Sequence, residues 1–227
     1  MRLMLLRHGQ TPHNIVGALD TTRPGAELTA LGHAQARAVP DALRGERISA
    51  IHASVLIRTQ LTAAPLAEAR GLAVSVAEGI EEVSAGELEL RTDRASVARY
   101  IGVTHSWIDG DLDRVMPGGS SGHEFLAGYD AAIAAIAAAW DGQGAVLVVS
   151  HGAAIRAWVA IRAGGVGTVE DRWLANTGMV TLDGDPLAGW NLVRWHAEPL
   201  GGSASAAVTA HDVTGAPIDE AESRATG

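Results

Sequence analysis

Two histidines of this 227-residue chain stand in matched surroundings. Arg7-His8-Gly9 follows the apolar run at 3–6, and Ser150-His151-Gly152 follows the apolar run at 145–149. An imidazole with one unprotonated nitrogen is a nucleophile, and the same ring donates hydrogen bonds or carries charge near neutral pH. The glycines beside them, Gly9 and Gly152, let backbone amides come close to an anion. Arg7 and Arg58 are the natural clamp for such an anion, because a guanidinium stays charged and donates two parallel hydrogen bonds to phosphate oxygens. Arg7 directly follows four apolar residues, where an unpaired buried charge would be costly, so a partner anion is expected there. The pattern points to phosphoryl chemistry at a cleft holding both histidines. The other seven, His13, His33, His52, His105, His123, His196 and His211, lack this company and are expected to be ordinary surface or core residues.

The elements that must carry these groups can be read from apolar patterning. Short continuous apolar runs at 3–6 and 145–149 predict strands buried on both faces of a largely parallel sheet, whose carboxyl ends gather ligands. Further strands are expected at 48–53, 72–76, 179–182 and 191–195. Thr29 is placed to cap a helix reaching about residue 43 and shortened or kinked at Pro40; a second helix at 58–69 is expected to be interrupted by Pro65. Residues 14–27 read as loop, and 78–119 as an excursion with a helix at 97–107. Phe125, Tyr129, Ile133, Ile136 and Trp140 follow helical spacing behind a Ser121/Glu124 capping box, and an alanine-rich helix follows Gly152 to about residue 163. The expected fold is α/β: three layers, α/β/α, around a largely parallel central sheet. Residues 1–199 form one domain in this reading, and residues 200–227, poor in apolar periodicity, a flexible tail.

A formal charge of −9 and a pI near 5.4 argue against a nucleic-acid partner. The absence of cysteine excludes disulfides and thiolate metal sites. Residues 3–6 are too short for the apolar core of a secretory signal, and no uninterrupted apolar run reaches the roughly 18 residues of a membrane span, so no membrane association and a cytoplasmic location are expected. The six tryptophans, 107, 140, 158, 173, 190 and 195, are expected in the core or at a homodimer interface.

Arg7-His8-Gly9-Gln10-Thr11 with Asn14 resembles the signature of the histidine phosphatase superfamily, the phosphoglycerate mutase-like proteins. Leu28-Thr29, Gly32 and Gln35-Ala36 resemble its first helix. Ser54, Arg58, Gln60, Thr62 and Ala63 are similar to its second arginine segment, and Ser150-His151-Gly152 to its second histidine motif. The resemblance covers most of residues 1–182 in order. It implies a phosphoglycerate mutase-like fold, His8 as nucleophile, Arg7, Arg58, His151 and Gly152 around the transferring phosphoryl group, and Asn14 helping to position it. Glu81-Glu82-Val83-Ser84-Ala85-Gly86 is similar to the segment holding the family's proton donor, which selects Glu82 over Glu81. It implies a phosphatase acting on a small phosphorylated metabolite, with no metal or other cofactor. Positive charge from Arg7, Arg58 and a protonated His151 would offset charge on the phosphoryl oxygens. A bisphosphoglycerate-dependent mutase is the rival within the family, set back by the sparse cations between Glu82 and His151: Arg91, Arg94, Arg99 and Arg114, interspersed with aspartates. A phosphate-binding module without catalysis is the third reading. The chain departs from the pattern at Ser120, where the family often has glutamate, at Val55 after Ser54, and at Leu88-Glu89-Leu90, where an aromatic-acidic-Gly ending is usual.

Overall fold

The computed structural model describes residues 1–164 and 173–202. Strands β1 (Arg2–Arg7), β2 (Ile48–Ser54), β3 (Val74–Ala77), β4 (Ala145–Ser150), β5 (Ala163–Gly164), β6 (Met179–Asp185) and β7 (Gly189–His196) form one sheet in the order β3-β2-β4-β1-β6-β7-β5. The pairs β3/β2, β2/β4, β4/β1 and β5/β7 are parallel, and β6 runs antiparallel to both β1 and β7. The sheet is therefore largely parallel, as expected. The expected flexible tail lies, beyond Gly202, outside the described residues.

Alternation along the central strands decides the layers, because successive strand side chains point to opposite faces. Leu3 and Leu5 of β1, with Val146 and Val148 of β4, pack under α4 (Arg94–Ile108), α5 (Gly122–Ala139) and α6 (Gly152–Arg162), meeting Tyr100, Trp107, Ile133, Ile155 and Trp158. Met4, Leu6, Leu147 and Val149 face the other way onto α2 (Ala30–Ala42) and α3 (Ile57–Arg70), meeting Val39, Ala63 and Leu66. Both central strands are buried on both faces, which is why they read as unbroken apolar runs.

Three local expectations need correction. Residues 14–27 are not all loop: α1 (Pro12–Val16) forms because Thr11 makes a reciprocal capping box with Asn14, Pro12 supplies the first-turn φ, and Gly17 closes the end in the left-handed region. Pro65 does not interrupt α3, which runs 14 residues through it. Its missing donor costs about 3 kcal/mol, offset by a buried stripe of Thr62, Ala63, Leu66 and Ala67. Pro40 likewise lies inside α2, which runs on to Ala42 and is not cut short at the proline.

Ser120 accepts a hydrogen bond from the amide of Met116 through its carbonyl and does not line the cleft that holds His8. Leu90, where the family's glycine is usual, adopts φ +59°, the left-handed conformation that glycine favours. Of the tryptophans, Trp107, Trp158 and Trp190 are buried in the core.

Candidate active site

Adjacent parallel strands β2, β4 and β1 end at the same edge of the sheet. Ser54, Ser150 and Arg7 are their last residues, with Arg7 in register with Ser150, so His8 and His151 emerge side by side. Their ring centroids are 5.2 Å apart with planes tilted by 59°. The amide of His8 donates to the carbonyl of Ser150 at 3.1 Å, which ties the two loops together. Close approach matters behind His8: a Cβ on Gly9 would meet the carbonyl oxygen of Gly32 at 2.7 Å, and one on Gly32 would meet that of Gln10 at 2.1 Å. Glycine at both positions lets the start of α2 press on the His8 loop.

Nδ1 of His8 lies 2.7 Å from the carbonyl oxygen of Gly9. A carbonyl only accepts, so Nδ1 carries the hydrogen and Nε2 is left with its lone pair. Burial, reinforced by the positive charges of Arg58 and Arg7, holds the His8 pKa well below the usual histidine range. The ring is thus a neutral, oriented base at ordinary pH.

His151 is fully buried, and its Nε2 lies 2.7 Å from Ser54 Oγ. Its Nδ1 has no hydrogen-bond partner among the described residues, and neither does Nε of Arg58. Leaving a buried polar group unpaired costs about 1–3 kcal/mol, and an acceptor bound beside His8 would relieve that cost. Burial, then Arg58, His8 and Arg7, push the His151 pKa well down. The expected protonated His151 is therefore disfavoured by these surroundings; a phosphoryl dianion is the counter-charge that would favour it.

Arg7 is buried and its Nη1 donates to the carbonyl of Leu174 at 2.7 Å. Arg58, in the first turn of α3, is buried and anchored through Nη2 to the carbonyl of Asp20 at 2.8 Å, with Nη1 at 3.4 Å from Asp20 Oδ2. Asn14 is buried beside His8, accepting through Oδ1 from the amide of Thr11 at 3.0 Å and from Nδ2 of Asn176 at 3.2 Å. Gly152 begins α6 directly after His151, so its amide faces out at a helix N-terminus.

Glu82 and Glu81 part company. Glu81 pairs with exposed Arg23 at 2.8 Å, whereas Glu82 is buried and lines the cleft with His8, Thr11, His13, Asn14, Ala18, Asp20 and Arg58. Glu82 Oε1 accepts from the amides of Val83 at 2.9 Å and Ala154 at 2.8 Å, and Oε2 from that of Ala153 at 3.2 Å. Burial raises its pKa; the amides of Val83 and Ala154 and the two arginines oppose the rise without cancelling it. Its segment is held on both sides, by Ser150 Oγ donating to the carbonyl of Ile80 and by Tyr100 donating to that of Val83, each at 2.9 Å.

Residues 3–198 match the family model of the histidine phosphatase superfamily, branch 1. The chain belongs to this superfamily. Among curated proteins, it is 34% identical over 221 residues to the PE-PGRS family protein PE_PGRS11 of Mycobacterium tuberculosis, a match that covers 86% of this chain but 36% of that protein. It thus spans about a third of the first curated relatives it matches. It is also 32% identical over 155 residues to a protein named probable phosphoglycerate mutase GpmB from an Enterobacter species, covering 68% of this chain and 71% of that one. Among solved structures, a mycobacterial glucosyl-3-phosphoglycerate phosphatase in complex with VO3 superposes with a TM-score of 0.72 at 28% identity, covering 87% of this chain and 99% of that one. The fold is the phosphoglycerate mutase-like one.

The cleft also contains groups that sequence reasoning passed over. His13 and Asp20 line it, and Asn176 donates to the carbonyl of His8 at 3.1 Å as well as to Asn14. Thr177, buried at φ +58°, donates its amide to the carbonyls of Arg7 and His8. Asn176-Thr177-Gly178 has the composition of a turn before a strand, but its closeness to His8 comes from β6 pairing antiparallel with β1, Met179 opposite Leu6. Among the described residues, no three His, Cys, Asp or Glu side chains stand together as a metal site, and no helix is long and apolar enough to cross a membrane.

Proposed function

We propose that this chain hydrolyses a small phosphomonoester without a metal, through a phosphohistidine on His8. The observation that carries the reading is the His8 Nδ1 contact with the Gly9 carbonyl, which leaves Nε2 unprotonated beside two arginines and His151. In the first step Nε2 bonds to phosphorus as the ester P–O bond breaks, and the departing alkoxide takes the proton of Glu82. In this reading Arg7, Arg58, the Gly152 amide and His151 Nδ1 balance charge on the phosphoryl oxygens, and Asn14 keeps the His8 loop in place. In the tautomer whose Nε2 accepts from Ser54 Oγ, His151 carries its hydrogen on Nδ1 and donates a hydrogen bond to a phosphoryl oxygen. The raised Glu82 pKa favours the acid form needed at the outset, and the amides of Val83, Ala153 and Ala154 receive the carboxylate once the proton has gone. In the second step water attacks phosphorus, Glu82 takes its proton, and the P–N bond breaks to return His8 and release phosphate.

Phosphatase is favoured over mutase by the placement of the intervening cations. Arg91, Arg94, Arg99 and Arg114 are all exposed, none lines the cleft, and Arg91 is engaged with Asp93 at 2.9 Å. A cradle for a second phosphate would need several of them turned inward. The solved phosphatase neighbour supports the same choice, while the relative named as a mutase keeps a direct comparison necessary. A screen of phosphorylated metabolites for phosphate release, with 3-phosphoglycerate and 2,3-bisphosphoglycerate included and mutase product measured alongside, makes that comparison. Phosphate release without isomer interconversion is the expected result. Interconversion at a higher rate than release would replace phosphatase with mutase, and neither activity would leave a binding module.

A further inference from the structure

His13 stands in the reactive cleft in a geometry that the proposed two-step chemistry does not use. Its Nδ1 lies 2.8 Å from Asp20 Oδ2. Asp20, with its side chain 7% exposed, also accepts the amide of Ala26 at 2.9 Å and holds Arg58 through both its side chain and its carbonyl. One buried carboxylate thus orients a phosphate-binding arginine and an imidazole together. A carboxylate accepts and does not donate, so the hydrogen of a neutral His13 sits on Nδ1. Its Nε2 has no hydrogen-bond partner among the described residues, and the side chain is 35% exposed. The backbone that carries the ring is fixed: Thr11 and Asn14 lock the start of α1, and the carbonyl of His13 accepts the amide of Ala18 at 3.0 Å.

We propose that His13 is a specificity residue whose Nε2 hydrogen-bonds an oxygen of the leaving group, on the carbon next to the phosphorylated one. His8, Arg58 and Glu82 share the cleft with it, so a phosphoryl group bonded to His8 leaves its alcohol portion within the same small space that His13 lines. The neutral ring accepts from a hydroxyl, and the protonated ring donates to a carboxylate; both are oxygen functions that an alkyl group lacks. The substrate class is therefore phosphomonoesters of polyols or hydroxy acids rather than of simple alcohols. This inference rests on the phosphatase reading and concerns its substrate.

The test compares ethyl phosphate, 2-hydroxyethyl phosphate and phosphoglycolate in the wild-type chain and in His13→Phe, which keeps a ring but removes Nε2. Comparing the two chains cancels differences in intrinsic reactivity among the esters. One hydrogen bond to an oxygen function predicts that preference over ethyl phosphate, as a ratio of kcat/KM, falls about tenfold in the variant. A fall for 2-hydroxyethyl phosphate alone identifies the hydroxyl, and for phosphoglycolate alone the carboxylate. Equal changes for all three esters would overturn the assignment. A wild-type chain that hydrolyses none of them would count against the phosphatase reading, which the wider metabolite screen decides, and not against His13. Calorimetric binding to His8→Ala protein then decides the inference separately: with His13 present, phosphoglycolate or 2-hydroxyethyl phosphate binds more tightly than ethyl phosphate, and His13→Phe must remove that difference.

Discussion

Replacing Glu82 with Gln separates a proton donor from a buried structural carboxylate, and the structure sets both magnitudes. Glu82 receives three amides, two at Oε1 and one at Oε2. A glutamine can keep Oε1 as acceptor for Val83 and Ala154, but its NH2 then faces the amide of Ala153, donor against donor, at the position where Oε2 accepted at 3.2 Å. That mismatch costs about 1–3 kcal/mol, or a drop of roughly 2–4 °C in Tm per kcal/mol for a domain of this size, so the variant stays folded. Catalysis loses more: a positioned general acid contributes roughly 10²–10⁴-fold when the leaving group is a poor alkoxide. An activated aryl phosphate needs no proton at departure, so its loss is limited to altered geometry, about tenfold. The comparison uses kcat/KM, which reports steps up to formation of the phosphoenzyme and excludes its hydrolysis, where Glu82 also acts. An alkyl phosphate and 4-nitrophenyl phosphate assayed side by side should differ in their losses by at least about tenfold. Equal losses for the two would refute the role assigned to Glu82.

Other consequences follow from burial and backbone geometry. His8 and His151 have folded pKa values well below the unfolded value of about 6.5, so between those values the unfolded chain binds more protons and stability falls as pH is lowered, by up to about 1.4 kcal/mol per pH unit for each ring. The raised Glu82 acts in the opposite sense, losing stability as pH rises above its unfolded value of about 4.5, and one such group offsets part of the two. Urea titrations between pH 5 and 7 should show rising stability, and a flat profile would contradict buried neutral histidines. Leu90→Gly should leave stability unchanged or raise it by up to about 1 kcal/mol, because release from φ +59° is worth about 1–2 kcal/mol and glycine's greater unfolded-state freedom takes back about half of it or more; denaturant melts showing a loss above 1 kcal/mol would refute the strain. Asn176→Ala removes two donors from the His8 loop and should lower kcat about tenfold with little change in KM, read by steady-state kinetics; a change confined to KM would assign Asn176 to substrate binding.

The parts of the site that lie next to strong local signals were legible in the sequence. His8 and His151 each follow a short apolar run of the kind a doubly buried strand leaves, Arg58 was named for its guanidinium chemistry and then matched by the family resemblance, and Glu82 was reached through that resemblance alone, before the burial of either was visible. The excursion at 78–119 was not legible in detail, because its helix α4 carries isolated apolar residues whose partners lie on α6, far along the chain. His13 looked ordinary for a related reason. Its meaning comes from Asp20, seven residues on, and from a short helix made by a capping box that was read as loop. Asn176 and Thr177 were hidden by topology, since an antiparallel β6 beside β1 brings them to His8 and nothing local announces that pairing. Pro65 shows the converse, a local breaker overruled by the sheet-facing stripe of its helix.

The central claim is that phosphate passes through His8, and trapping that intermediate tests it most directly. The chain is mixed with a ³²P-labelled phosphomonoester, quenched in base within the first turnover, digested and mapped. Label on the peptide bearing His8, stable in base, lost in acid and absent from His8→Ala, is the expected result. Turnover by the wild-type chain with label elsewhere, or undiminished turnover by His8→Ala, would contradict it.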